Sequence, residues 1–268
     1  MTNSAARTYR ATISYDGSAY FGWQRQPNRP TVQGQIEQAL LQITRQEISV
    51  IGSGRTDTGV HAIGQVIRFS VATRLDLDTL RRAVDANLPP DISIRDVAYT
   101  TKAFHPVRDA IHKRYRYIIQ AGTHRDVLAR NLEWWMPRPL DPDAMRQGAQ
   151  HLQGEHDFAA LQTAGSKRAT TVRTIHEITV EQESAQVWTK TVIEVQANGF
   201  LYNMVRNIVG TLVLVGHGER SPAWVAEVIQ SRDRRMAGPT APPQGLFLVS
   251  VEYPSDEETP ESGTELTS

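Results

Sequence analysis

The sequence predicts an α+β fold: two ferredoxin-like units side by side, their strands joined in one continuous mixed or antiparallel sheet. Helices are expected on one face of the sheet and an active-site cleft between the units. Three observations predict this. By hydrophobic periodicity the first hundred residues read β-α-β-β-α-β. The remainder repeats that order of elements loosely, with no residue-level repeat. The chain has 268 residues, 40% of them hydrophobic, enough for two modest domains with sizeable cores. The expected division is a flexible start over 1–7, units over 8–103 and 104–253, and a disordered acidic tail over 254–268.

Tyr9 to Tyr15 alternates, with Tyr9, Ala11, Ile13 and Tyr15 on one face, and reads as a strand that Asp16-Gly17 turns. Tyr20 to Gln26 interleaves rings with amide and guanidinium groups. These rings either fill the core beside the first strand or stack on nucleic-acid bases while Arg25 meets phosphate. Thr31 is placed to cap a helix whose apolar positions Val32, Ile36, Ala39, Leu40 and Ile43 recur at helical spacing. Strands are expected over 47–51 and 65–69, a helix from about Asp76 to Leu88 stopped by Pro89-Pro90, and a strand over 92–99.

In the second half, 114–120 reads as a strand with Tyr115 and Tyr117 on one face and Arg114 and Arg116 on the other. The bland reading is an amphipathic strand with a solvated basic face. A helix over 142–152, strands over 174–180 and 187–197, one or two further helices and a closing strand over 245–253 complete the order.

Lysine and arginine balance aspartate and glutamate at 29 each, but residues 254–268 hold five acids and no base. Without them 29 basic side chains face 24 acidic ones, so the body carries about +5, compatible with an RNA partner. The absence of cysteine excludes disulfides and thiol catalysis. With no signal-like apolar start and no apolar run of about 18 residues, a cytoplasmic location is expected.

Between two of the strands lies Gly52-Ser53-Gly54-Arg55-Thr56-Asp57-Thr58-Gly59-Val60-His61-Ala62. Its glycines suit an irregular backbone. Arg55 stands two residues from Asp57, where a neighbouring cation would favour the ionised carboxylate. A solvated turn is the plain alternative. A phosphate loop lacks its Gly-Lys-Ser/Thr, and a metal site lacks further ligands. Far along the chain Arg206 sits in an apolar stretch, 200–212, that reads as a buried helix. Either Arg206 lies on the one exposed edge of that helix or, if buried, its guanidinium requires an anion, with Asp57 the expected partner in a direct ion pair. Lys167, Arg168 and the run Arg232 to Arg235 form basic loops, read either as solvated surface or as phosphate contacts.

The glycine-rich stretch closely resembles the Gly-Arg-Thr-Asp-x-Gly-Val-His-Ala signature of the tRNA pseudouridine synthase A family. The likeness extends to Tyr-Asp-Gly-x-x-Tyr-x-Gly-Trp-Gln near the start, Arg/Lys-x-Tyr-x-Tyr in the middle and Phe-x-x-x-Met-Val-Arg-Asn-Ile-Val-Gly later, spanning nearly residues 8–253. The resemblance implies a cofactor-free, homodimeric isomerase acting on uridines 38, 39 and 40 of the tRNA anticodon stem-loop. It implies Asp57 as the catalytic residue, Arg206 as its partner and Tyr115 packed on the target base. Arg55 would also occupy the space the flipped base leaves. Thr58 stands where many relatives have alanine, and Val107 where relatives usually have arginine, with Arg108 following. Two other functions are weighed beside this one. A non-catalytic RNA-binding protein would need only the aromatic and basic surfaces, and a carboxylate-dependent hydrolase would want a second acid/base group.

Overall fold

The computed structural model describes residues 5–163, 170–184 and 188–254. Lys167, Arg168 and all but the first residue of the expected tail lie outside them.

Strand β1 (Arg7–Tyr15) runs as its alternation predicts: Tyr9, Ala11, Ile13 and Tyr15 are all buried while Arg10, Thr12 and Ser14 are half-buried. Thr31 caps α1 (Val32–Thr44) by accepting from the Gly34 amide at 3.3 Å. Strand β2 shrinks to Ile51–Gly52, whereas β3 lengthens to His61–Val71 and takes in the end of the glycine-rich stretch. Helix α2 (Leu77–Ala86), capped by Asp76, and β4 (Ile92–Thr100) close the first unit. Its strand order is β4-β1-β3 with β2 on the far edge of β3, the ferredoxin-like order.

The second unit comprises β5 (His112–Ala121), β6 (Trp134–Met136), α3 (Pro142–Gln150), β7 (Gly154–Asp157), β8 (Val172–Ser184), β9 (Thr189–Ala197), α4 (Met204–Gly216), α5 (Trp224–Ser231) and β10 (Leu246–Glu252). Its order, β10-β5-β9-β8, repeats that of the first unit, so the α+β expectation holds. Neither β6 nor β7 carries a strand signal: one is three consecutive bulky residues, the other the polar run Gly154 to Asp157. The apolar helix begins at Met204 rather than at Phe200, because Asn203 adopts the left-handed conformation at φ 59°.

The units join where β10 lies parallel to β3, pairing Phe247 with His61 and Leu248 with Ala62. The end of β2 at Gly52 makes this possible. The strand covers β3 only at Ile67 and Arg68, leaving the first residues of that edge to a new partner. The joint therefore falls on the last residues of the glycine-rich stretch, and ten strands become one sheet.

On β5, Tyr115 and Tyr117 point into the core as predicted. The opposite face is not merely solvated. Arg114 bonds Glu177 at 2.7 Å and Gln196 at 2.6 Å, and Arg116 pairs with Glu194 at 2.7 Å, a cross-strand network over β5, β9 and β8. No helix among the described residues is long and apolar enough to cross a membrane.

Candidate active site

The loop between β2 and β3 is held from three sides. Inside it, the Ser53 hydroxyl donates to Gln65 Oε1 at 2.5 Å, and Gln65 Nε2 returns a bond to the Gly54 carbonyl at 2.8 Å. From the first strand, Tyr15 Oη and Thr56 Oγ1 lie 2.8 Å apart. From the aromatic stretch, the Trp23 amide donates to the Thr56 carbonyl at 2.9 Å. Of that stretch Trp23 is buried, as the core reading expects, whereas Phe21 is 39% exposed and carries the Arg29 guanidinium 4.6 Å over its ring.

Two glycines allow the close approach. A side chain at Gly17 would bring its Cβ 2.0 Å from the Val60 carbonyl oxygen. Gly22, at φ +81°, would meet the Thr56 oxygen at 2.6 Å. Gly22→Ala is therefore expected to destabilise the fold by about 1–3 kcal/mol and to lower turnover by displacing the Thr56–Asp57 peptide, measured by thermal melting and by product formation.

His61, at the end of the loop, is fully buried and stacks on Phe247 at 4.7 Å. Its Nε2 donates to the Gln244 carbonyl at 3.1 Å, so Nδ1 is the acceptor of the Gly17 amide at 3.0 Å. With Nδ1 so used, the Asp16 carboxylate 3.1 Å away is no ion-pair partner, and burial lowers the histidine's pKa and keeps it neutral. His61 is a brace between the two units.

Asp57 sits half-buried on this loop. Burial pushes its carboxyl above the ordinary value, and the nearby charge of Arg206 pulls it part of the way back. The expected direct ion pair does not form. Arg206 spends its Nε on the Ala241 carbonyl at 2.6 Å and an Nη on Asn203 Oδ1 at 2.9 Å, so it acts on Asp57 through space. Arg55 is no partner either: its side chain is exposed, and Arg206 is the cation whose charge reaches Asp57.

Tyr115 comes to the same place from β5. Its ring meets Phe200 edge to face at 4.9 Å, and its hydroxyl would lie 3.9 Å from a Cβ on Gly54. Burial, with the charge of Asp57 adding to it, raises the Tyr115 pKa and holds it as a neutral phenol. Two residues earlier, Lys113 donates from Nζ to the Ser53 carbonyl at 2.6 Å. No local pattern marks that contact, although Lys113 shares the strand face of Tyr115.

The remaining expected contacts separate. Arg25 is exposed at the surface and paired with Glu37 at 3.3 Å. In the run from Arg232, Arg232 pairs with Asp157 and Arg235 with Asp233, both at the surface. Arg234 turns inward, contrary to the phosphate-contact reading, and bonds Gly238 O at 2.8 Å and Asn207 Oδ1 at 3.0 Å. Val107 is 44% exposed, and Arg108 beside it is also exposed.

The family model described as tRNA pseudouridine synthase matches residues 11–107 and 149–254, which puts the chain in the class of enzymes that isomerise uridine within RNA. Among curated relatives, the tRNA pseudouridine synthase A of Coxiella burnetii is 44% identical over 248 residues, 92% of this chain and 94% of the relative. That of Caldicellulosiruptor bescii is 41% identical over 249 residues, 92% of this chain and all of the relative. The chain belongs to the tRNA pseudouridine synthase family, and it is an isomerase. Asp57 and Arg206 both lie within the matched segments, and Tyr115 lies between them.

Proposed function

We propose that the protein converts uridine to pseudouridine at positions 38, 39 and 40 of the tRNA anticodon stem-loop, with Asp57 as the catalytic carboxylate. One observation carries the reading: the carboxylate of Asp57 from the first unit lies within electrostatic reach of Tyr115 and Arg206 from the second, in one partly buried place. The reaction breaks the bond from uracil N1 to ribose C1′, turns the base and joins C5 to C1′, with loss of the C5 proton and protonation of N1. The target must leave its stack to reach the site, at an unpairing cost of a few kcal/mol.

Asp57 acts either as nucleophile or by abstracting a ribose proton, and both roles require it ionised. The Arg206 charge favours that form. Tyr115, kept protonated by its burial, supports the role of an aromatic wall for the uracil better than that of a base for the C5 proton. Arg55, exposed beside the site, is free of carboxylate partners among the described residues and suits the role of entering the space the base vacates. Arg25, Lys167 and Arg168 are assigned to the RNA backbone. No cofactor takes part in this scheme. The two strand orders support a division at 103/104, and the enzyme is assigned to the cytoplasm as a homodimer.

Family membership decides against a hydrolase and a merely RNA-binding role. The test is incubation with an unmodified tRNA transcript and mapping of pseudouridine by position. Product at 38–40 supports the reading; binding without product overturns it. RNA affinity is also expected to fall with salt, log K running roughly linearly against log[salt], and truncation after Tyr253 is expected to leave it unchanged. A salt-independent affinity in a titration would contradict the electrostatic footprint.

A further inference from the structure

Residues 238–245 form a strap along the site, in contact with Arg206, Tyr117, Gly59 and His61. The Ala241 carbonyl accepts from Arg206 Nε at 2.6 Å while its amide donates to the Arg206 carbonyl at 3.1 Å. The next carbonyl, of Pro242, accepts from the Tyr117 hydroxyl at 2.7 Å. Pro243 lies 3.2 Å from where a Cβ on Gly59 would stand, and the Gln244 carbonyl holds His61. A strap in this place ties α4, β5 and the catalytic loop together.

The start of the strap is anchored to α4 by a small hydrogen-bond network centred on one side chain. Arg234 donates to Gly238 O at 2.8 Å, to Thr240 Oγ1 at 3.0 Å and to Asn207 Oδ1 at 3.0 Å. Thr240 Oγ1 itself donates to Asn207 Oδ1 at 2.7 Å, and the Gly238 amide donates to Thr211 Oγ1 at 3.0 Å. The backbones touch closely: a Cβ on Gly210 would fall 1.7 Å from the Pro239 oxygen. None of Arg234's acceptors is a carboxylate. The planar guanidinium fork suits this many neutral acceptors at fixed angles, and a lysine ammonium does not.

We propose that Arg234, through Thr240 and the strap, is a positioning residue for Arg206, fixing the guanidinium where its charge bears on Asp57. The inference rests on the reading of Arg206 as the partner of Asp57. Arg206 ends a long flexible side chain that would sample many rotamers if its Ala241 acceptor moved. The strap removes that freedom before RNA arrives, which is how a supporting shell keeps a site in register.

The experiment is a mutant cycle read by single-turnover rate at saturating tRNA, with KM measured in parallel. Arg234→Lys and the near-isosteric Thr240→Val are made alone and in an Arg206→Met background. Each is expected to lower the single-turnover rate by roughly tenfold with KM unchanged, and to add little once Arg206 is gone. A wild-type rate in both variants overturns the inference, as does a loss that is fully additive with Arg206→Met, since that marks a fold anchor acting independently. A wild-type rate in Arg206→Met alone overturns the parent reading, and the inference with it. Thr240→Val keeps the test valid if Arg234→Lys fails to fold.

Discussion

Asp57→Asn is expected to lower the rate of pseudouridine formation by roughly 10³-fold or more while leaving tRNA affinity within about twofold. The replacement keeps the shape and removes the charge and the lone-pair basicity. It is also expected to raise the melting temperature at neutral pH. Burial places the folded-state pKa of Asp57 above its unfolded value, so the group's favourable contribution is complete below the unfolded value and is lost as pH rises through the folded one. At pH 7 the ionised, partly desolvated carboxylate is a net burden on the fold that asparagine does not carry. The gain should shrink as pH falls toward the unfolded-state pKa of about 3.9 and vanish about a unit below it, where both states of Asp57 are protonated. A mutant with substantial turnover, or one that melts lower at pH 7 and higher in acid, contradicts this assignment.

Arg206→Met is expected to lower the rate by about 10²-fold and to move the acid limb of the rate profile to higher pH. The direction follows from the two influences on Asp57: burial raises its pKa, and Arg206 is the charge that opposes the rise. Without it more of the enzyme holds Asp57 protonated at a given pH, so the rate climbs later as pH increases. The mutant should also lose stability, because the Ala241 carbonyl gives up its 2.6 Å donor. Arg206→Lys keeps a charge but cannot reach Ala241 O and Asn203 Oδ1 together, and is expected to fall between the two. An acid limb unmoved in Arg206→Met would separate Arg206 from Asp57.

Local signals in the chain were sufficient for most of the fold. The alternation of Tyr9 to Tyr15, the Thr31 cap and the two faces of β5 are each determined by neighbours within a few residues. What local pattern leaves open is what distant chain decides. The expected strand over 47–51 gives way to a pairing at Ile51 and Gly52 alone, and it is β10, far along the chain, that takes the start of the β3 edge. The Arg232 to Arg235 run reads as a basic loop, solvated or in contact with phosphate, yet Arg234 turns in to reach Asn207 and Gly238.

The site divides in the same way. The positions of Asp57 on the loop and of Tyr115 on the inward face of β5 are legible because each sits in a recognisable local pattern. The relation of Arg206 to Asp57 is only half legible. A guanidinium in an apolar helix does call for acceptors, but backbone and amide oxygens supply them here, and the carboxylate is addressed by charge alone. Lys113 on Ser53 O could have been found from its strand face, given the knowledge that this face meets the glycine-rich loop.

The most direct test follows the hydrogen at C5 of the target base. Transcripts of the anticodon stem-loop carrying tritium at C5 of uridines 38–40, or of uridines elsewhere, are incubated with the wild-type enzyme and with Asp57→Asn. Tritium should reach water only from 38–40 and only with the wild-type enzyme, because C5 exchanges its hydrogen for the bond to C1′. Release from other positions alone, or equal release by Asp57→Asn, would contradict the account.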